Sequence, residues 1–217
     1  SDTATNIAAG IGSDNAVISS AGTIAANTYA TVTELETIGA DNKAIIFSVK
    51  DTASNLAGAT AARILKAVNV IATTDATVAQ AETIDTNTNA GAGGYNTYNI
   101  KDTAANIAAK ANTFLAKAGT VTVDGTANIA QAETISALSK AIVYSVNDSA
   151  ANALATAGAA YNEAVNIEIT GNLTVAKADV VKEASNSGDK TYVIEDTSAA
   201  IAAAVSGTTG SAADLQT

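Results

Sequence analysis

Carboxylates recur along this chain at regular intervals, and they are the first residues whose type and spacing could support chemistry. Four aspartates open copies of one short motif: Asp51, Asp102, Asp148 and Asp196. Aligned in neighbouring copies, they could form a calcium-binding column. Calcium takes about 6–8 oxygen ligands, however, and one carboxylate per copy does not supply them. Because Thr or Ser follows each Asp, we favour a role in capping helix N-termini, with calcium as the lesser alternative and no other cofactor.

A pair of glutamates raises a second possibility, which is glycoside hydrolysis. Glu82 and Glu133 occupy the same position in successive repeats. If two kinds of strand alternate in one sheet, these residues lie roughly 9–10 Å apart, near the carboxyl separation of an inverting glycosidase. Regular repetition argues against a unique active site, and no aromatic residue for sugar stacking lies nearby. We therefore favour a solvated helix face and expect no catalytic residue.

Composition excludes several other kinds of site. The chain has no Cys and no His, which removes disulfides, thiolate catalysis and the Ser-His-Asp arrangement. Its net charge of −10 disfavours binding to nucleic acid, because phosphates would be repelled. No apolar stretch approaches the ~20 residues of a membrane-spanning helix. The first residues lack Met and a basic signal region, so we expect an excised or processed piece of a longer chain.

Two alternating motifs repeat along the chain. Motif A occurs as SDTATNIAA, KDTASNLAG, KDTAANIAA, NDSAANALA and EDTSAAIAA, and its Asp recurs at intervals of 49, 51, 46 and 48 residues. Motif B occurs between these copies as ATVTELETI, ATVAQAETI, ANIAQAETI and LTVAKADVV, with its acidic residue at intervals of 46, 51 and 46 residues. The shared period is therefore about 48 residues, or about 24 for each motif with its preceding segment.

The residues before each motif have the alternation of a β-strand. An aromatic residue lies four positions before the Asp of motif A, and a β-branched residue lies two positions before it. Both offsets are even, so both side chains face the same side of a strand. We expect the aromatic side chains to form a buried ladder: Phe47, Tyr98, Tyr144 and Tyr192. The segments NVIATTD, TVTVDGT and NIEITGN before motif B predict strands in the same way.

Each motif begins a predicted helix. The runs DTASNLAGATAARILKAV and DTAANIAAKANTFLAKAG have helical spacing, and Ile107, Ala111, Phe114 and Leu115 form one apolar stripe. Gly119 then suits a helix stop. The motif B helix is shorter, at roughly 76–85. An Asn at the fourth position after the Asp of motif A could form a second ladder inside the fold, at Asn6, Asn55, Asn106 and Asn152.

A strand–helix segment of about 24 residues cannot bury a core alone, so neighbouring segments must stack. We predict an α/β repeat solenoid with a parallel sheet and helices on one face. Compact modules of about 48 residues and an all-β solenoid are the alternatives. The predicted organisation is one solenoid fragment over 1–217, with repeats near 1–44, 45–94, 95–140 and 141–190 and a partial unit at 191–217.

The motifs V-x-DTAANIAA and TVAQAETI resemble tandem repeats of very large exported bacterial proteins of the adhesin-like, haemolysin-like and S-layer-like kinds. The resemblance implies an extracellular, surface-exposed scaffold that acts through rigidity and self-association with a second copy or with neighbouring repeats. The glycine-rich calcium nonapeptides of related exported proteins are missing here. The alternative is a module that binds glycans or a host surface. Thr and Asn clusters such as TNTN and TVTV could supply a hydrogen-bonding face for that purpose.

Overall fold

The chain is a mixed α/β protein. A computed structural model describes residues 1–13, 15–41, 43–86, 96–156 and 158–206. Within these ranges it contains 12 short helices and short parallel strands in small sheets, so the all-β alternative is wrong. The chain divides into two compact units. Unit 1 comprises Ser1–Lys101 with Ala118–Thr120, and unit 2 comprises Asp102–Lys117 with the residues from Val121 onward.

The elements are numbered in chain order. The strands are β1 (Ile24–Ala25), β2 (Ile45–Ile46), β3 (Val49–Asp51), β4 (Val70–Ala72), β5 (Asn96–Thr97), β6 (Ile100–Asp102), β7 (Val121–Val123), β8 (Val146–Ser149), β9 (Ile167–Leu173) and β10 (Lys190–Ile194). The helices are α1 (Ala4–Gly12), α2 (Ala16–Ser20), α3 (Val32–Ile38), α4 (Ala53–Gly58), α5 (Ala61–Ile64), α6 (Val78–Thr86), α7 (Ala104–Ala108), α8 (Asn112–Leu115), α9 (Ile129–Ser136), α10 (Ala159–Asn162), α11 (Val175–Glu183) and α12 (Ser198–Val205). None of the helices in the described ranges combines the length and the apolar character that crossing a lipid bilayer requires.

In unit 1, strands pair in parallel with partners from the neighbouring motif. Strand β1 pairs with β2 through Ile24 and Ile45. Strand β4 lies between β3 and β5, with Val70 opposite both Val49 and Asn96. Isolated bridges extend this pairing at Asp2↔Ala26, Ala30↔Val49 and Ala76↔Ile100. Residues that pair are thus 19 to 26 positions apart, which matches the half-period of the sequence.

Unit 2 contains the same kind of parallel pairing. Strand β9 lies between β8 and β10, with Ile167 opposite both Val146 and Lys190. Further bridges join Thr122 to Val143 and Ala127 to Val146. Helices α9 and α10 pack together, as do α7 and α9. Both units therefore use consecutive motifs as neighbours in parallel sheets.

The core is built from the residues that recur in the motifs. Along β2, β3 and the two residues between them, alternate side chains are buried, namely Ile45, Phe47 and Val49. Each motif B helix buries residues three positions apart, which places them on one face; they are Leu35 and Ile38; Val78, Ala81 and Ile84; Ile129, Ala132 and Ile135; and Val175, Ala178 and Val181. Many of the buried helix residues are Ala, so the helix backbone can approach its neighbours closely.

The prediction of one long helix after the Asp of motif A is wrong in the second and third copies, because each of these segments forms two short helices. Helix α4 ends at Gly58 and α5 begins at Ala61. Between them Thr60 is extended, and its amide and hydroxyl both bond to the Glu36 carboxylate at 2.9 Å. Helices α7 and α8 are likewise separated by an extended Ala111. A contact with another copy therefore interrupts a helical pattern that local spacing alone would continue.

The predicted apolar stripe of the third copy is consequently only partly buried. Ile107 and Leu115 are buried, Phe114 is half-buried and Ala111 is exposed. Gly119 does not end a helix either, since α8 ends at Leu115. Its amide donates instead to the Tyr98 carbonyl at 2.9 Å.

The fourth copy of motif A forms a turn where the sequence predicts a helix. Strand β8 continues to Ser149, and the Ala150 amide donates to the Thr170 carbonyl at 2.8 Å. That amide would otherwise belong to the first turn of a helix. The pairing of this segment with β9 therefore continues into the residues that would start the helix. For this reason NDSAANALA has a different conformation from the other copies.

Gly188 provides a test of how closely consecutive copies approach. A Cβ at this position would lie 2.7 Å from the Val165 carbonyl oxygen and would also overlap Asn166. We expect Gly188→Ala to lower the free energy of unfolding by about 1–3 kcal/mol, as overpacking does. Denaturant unfolding at neutral pH measures this change.

Gly58→Ala is the matched control, because no atom lies within 4 Å of a Cβ at Gly58 and its φ is negative. This variant should be neutral or slightly more stable, since Ala favours a helix over Gly. Equal losses in the two variants would contradict the close approach at Gly188.

Candidate functional site: the Asp-Thr-x-x-Asn motif

Motif A places Thr, and not Asp, at the helix N-cap. In four copies the Thr hydroxyl oxygen accepts the amide of the residue three positions later at 3.1–3.3 Å; these are Thr3, Thr52, Thr103 and Thr197. The expectation that Asp itself is the N-cap is therefore wrong. The Thr satisfies the amide inside the first helical turn, so the Asp one position earlier is left for another role.

One oxygen of each Asp is used within its own copy. Oδ1 accepts the amide of the next residue at 2.7 Å in all five copies. In four copies Oδ1 also accepts the Nδ2 of the Asn four positions later at 2.8–2.9 Å, from Asn6, Asn55, Asn106 and Asn152. These four Asn side chains are exposed. The expected Asn ladder inside the fold is therefore wrong, since each Asn holds the carboxylate of its own copy.

The second oxygen of the Asp reaches back to the preceding motif B. The amide of Val32 donates to Asp51 Oδ2 at 2.9 Å in unit 1. In unit 2, the Ile129 amide donates to Asp148 Oδ2 at 2.9 Å and the Val175 amide donates to Asp196 Oδ2 at 3.0 Å. Donor and acceptor are 19 or 21 residues apart. Each carboxylate therefore joins two successive motifs.

The donors in these bonds have a common structural position. Val32, Ile129 and Val175 are the first residues of α3, α9 and α11. The first amides of a helix have no acceptor within the helix. A carboxylate at a helix N-terminus also interacts favourably with the helix dipole. The Asp of the following copy thus supplies both a hydrogen bond and a negative charge at the N-terminus of a motif B helix.

Motif A helices receive an equivalent bond from the copy that follows them. The first amide of α1, at Ala4, donates to Thr28 Oγ1 at 2.9 Å, and that of α4, at Ala53, donates to Thr74 Oγ1 at 3.1 Å. In α3, α9 and α11, the first amide therefore donates to a carboxylate from the next copy. In α1 and α4, the first amide donates to a hydroxyl oxygen from the next copy. In both cases the cap comes from a residue about half a period later in the chain.

The environment of Asp51 and of Asp148 stabilises the ionised form of the carboxyl group. Partial burial of Asp51 opposes ionisation, but hydrogen bonds from the Val32 amide, the Asn55 side chain and the Thr52 amide outweigh it and lower the pKa of Asp51. The same balance lowers the pKa of Asp148, where the principal donor is the Ile129 amide. Near neutral pH, the amides of Val32 and Ile129 therefore donate to ionised carboxylates.

Other polar side chains, which the sequence analysis missed, also join successive segments. Asn99 Oδ1 accepts the Thr120 amide at 3.0 Å, and Asn166 Oδ1 accepts the Asp189 amide at 2.9 Å. In both pairs the residue just before the donor is a Gly whose absent side chain leaves room for the Asn. Two similarly spaced Asn–Gly pairs were the available signal: Asn99 and Gly119 are 20 residues apart, and Asn166 and Gly188 are 22 residues apart. Glu36 of motif B acts similarly, bonding Thr60 and forming an ion pair with Arg63.

The aromatic residues before motif A are mostly core residues. Phe47, Tyr98 and Tyr144 are each only 2% exposed, whereas Tyr192 on β10 is half-buried. Burial raises the pKa of both Tyr98 and Tyr144 to about 12. The Tyr144 hydroxyl donates to the Ala160 carbonyl at 3.1 Å. Their positions fit a packing role.

The structure gives the surroundings of the residues named in the calcium and glycosidase interpretations. Among the described residues, no group of three or more acidic side chains is arranged to hold a metal ion. The oxygens of Asp51, Asp148 and Asp196 are already acceptors for protein amides. Glu82 is half-buried on α6 of unit 1, and Glu133 is exposed on α9 of unit 2. Of the Thr and Asn clusters, TVTV lies in and beside β7, and TNTN falls mostly outside the described residues.

No protein-family model matches the chain, and no curated protein or solved structure shows significant similarity to it.

Replacing one bridging carboxylate tests the bond between copies. Asp51→Asn keeps the shape of the side chain but loses the charge and one acceptor oxygen. We expect the free energy of unfolding at pH 7 to fall by about 1–3 kcal/mol, because a helix amide is left without its acceptor. Asp75→Asn is the control, since Asp75 is exposed and makes no hydrogen bond within the described ranges. Similar stability of the two variants would contradict the bridging role.

The lowered pKa values of Asp51 and Asp148 predict a specific pH dependence. When a folded-state pKa lies below the unfolded value, its stabilisation is complete above the ordinary Asp pKa of about 4 and disappears as the pH falls through the folded pKa. Wild-type stability should therefore decrease below about pH 4, and Asp51→Asn should lose less over that interval. Urea unfolding between pH 7 and pH 3 measures both slopes. Parallel curves for wild type and Asp51→Asn would count against this mechanism.

Proposed function

We propose that this chain is a segment of an α/β solenoid that serves as a structural scaffold. In this proposal, successive motifs lie side by side throughout the chain, and each supplies hydrogen-bonding groups to the one before it. The regular 19- to 26-residue offset between paired strands supports this arrangement. A stack of this kind would grow in one direction by adding copies.

The observation that carries the proposal is the bond from Asp Oδ2 to the first amide of the preceding helix. It recurs in both units at 2.9–3.0 Å. The most regular polar residues of the sequence are thus used to attach neighbouring copies. This use of the recurring polar residues supports a mechanical role in preference to a catalytic one. In a mechanical role, the chain forms a stiff array of copies.

We also propose that the scaffold works outside the cell, on a bacterial surface, and that it associates with further copies of itself. The repeated motifs support this placement through their resemblance to exported tandem repeats, and the absence of Cys is common in such chains. An edge strand can pair with a strand from another molecule. Accessibility of the chain to protease added to intact producing cells would test the location.

Single-molecule stretching of the full chain tests the solenoid. Unfolding should proceed in steps that are multiples of one 24-residue segment, which corresponds to about 80 Å of extended chain. Stepwise loss is expected because each copy is stabilised mainly by its neighbours. Asp51→Asn should lower the force of the step that includes the second copy of motif A, with Asp75→Asn as the control. Unfolding of the whole chain in one step would contradict the proposal.

Sedimentation of the full chain over a range of concentrations tests self-association. A scaffold that assembles end to end should form progressively larger species, without the fixed stoichiometry of a closed oligomer. A chain that stays monomeric at millimolar concentration would remove self-association from the proposal and leave the solenoid to the stretching experiment.

A further inference from the structure

An open groove lies in unit 1, beside the loop between β1 and α3. It has a volume of about 310 Å³, and its walls include Asn27, Tyr29, Ile46 and Ser48. This volume is at the lower end of the range of about 300–1,000 Å³ found for small-molecule sites. Tyr29 is 51% exposed and Ile46 is 54% exposed. The groove therefore presents an aromatic ring and an aliphatic side chain beside amide and hydroxyl groups.

The repeat itself does not account for Tyr29. The residues at the same position of the other motif B segments, one before the conserved Ala or Leu, are Asp75, Thr126 and Asn172. All three are small and polar, so the fold does not need an aromatic residue here. Tyr29 also contributes little to the core, because half of its surface is exposed. An exposed ring that appears in one copy only indicates a local role that the other copies lack.

The groove is held in shape by backbone bonds on both sides of the loop. The Ala26 amide donates to the Ile46 carbonyl at 2.9 Å, and the Ala30 amide donates to the Ser48 carbonyl at 2.8 Å. The loop that carries Tyr29 is thus fixed at both ends to the segment that carries Ile46. A ligand would bind without paying the full entropy of ordering this loop.

A positive charge lies next to the ring. The Lys50 ammonium is 5.7 Å from the centre of the Tyr29 ring, within the range of a cation–π contact. The chain as a whole has a net charge of −10. A lysine at this position therefore places local positive charge on a surface that is acidic on average, and it favours a ligand with a negative group.

We propose that this groove binds an acidic saccharide. The apolar face of a pyranose ring stacks on Tyr29, and Ile46 packs against its edge. The side-chain amide of Asn27 and the Ser48 hydroxyl form hydrogen bonds with hydroxyl groups of the sugar ring. The Lys50 ammonium pairs with the carboxylate of a uronate. Binding here is independent of the scaffold function, since it needs only the groove within unit 1.

Calorimetric titration of the full chain with a short oligogalacturonate tests the proposal. Binding should be measurable at millimolar ligand, and a neutral galacto-oligosaccharide of the same length should bind more weakly. Tyr29→Thr should weaken oligogalacturonate binding about tenfold or more, the loss expected for an aromatic anchor. This substitution installs the residue of the third motif B segment, so the fold should tolerate it, and a thermal unfolding curve verifies that.

Two further variants form a matched pair. Ile46→Thr removes the aliphatic wall of the groove and should weaken binding, whereas Val143→Thr changes the equivalent exposed residue of unit 2 and should not. Lys50→Gln should reduce the preference for the acidic over the neutral ligand. The site would be overturned if neither saccharide bound to the protein. It would also be overturned if a folded Tyr29→Thr variant kept the wild-type affinity. Equal affinity of the wild type for both saccharides would overturn the assignment of an acidic ligand.

Discussion

The first amide of each short helix needs an acceptor, and this requirement organises the fold. The helices contain only four to nine residues, so the unpaired amides of their first turns are a large fraction of their backbone donors. In α1, α3, α4, α9 and α11 a side chain from the following copy accepts the first amide, as Asp51 does for Val32 and Thr28 does for Ala4. The N-termini of these five helices are therefore completed by the next copy.

This dependence couples neighbouring copies in addition to the packing of their buried apolar side chains. Aromatic residues make up only 4% of the chain, and many buried helix positions are Ala. Thin layers of small side chains allow backbones to approach, and polar side chains then reach amides on the adjacent segment. Asn166 and Gly188 show the relation directly: the Asn accepts the Asp189 amide, and a side chain at position 188 would displace it. Packing and hydrogen bonding impose the same spacing between copies.

Repetition also makes departures from the pattern informative. The fourth copy of motif A gives up its helix because the Ala150 amide pairs with Thr170 on a longer strand. Tyr29 departs in another way, by placing an exposed ring where the other copies have small polar residues. The first departure is explained by strand pairing within the fold. The second contributes little to the core, and it lies in the groove for which we propose a ligand.

The sequence alone determined the period and placed most of the strands that precede the motifs, because side-chain alternation and motif spacing are local properties. It also located the residues that matter most, the Asp, Thr and Asn of motif A. Only the tertiary structure decided what these residues do. Whether Asp or Thr caps the helix depends on which amide each oxygen reaches, and one Asp oxygen reaches an amide 19 residues away. The break between α4 and α5 has the same origin, since Thr60 is held extended by Glu36 of another copy. The recurrence of these residues is visible in the sequence, but the distant amide that each oxygen reaches is set by how the segments pack, and the sequence could not predict these partners for that reason.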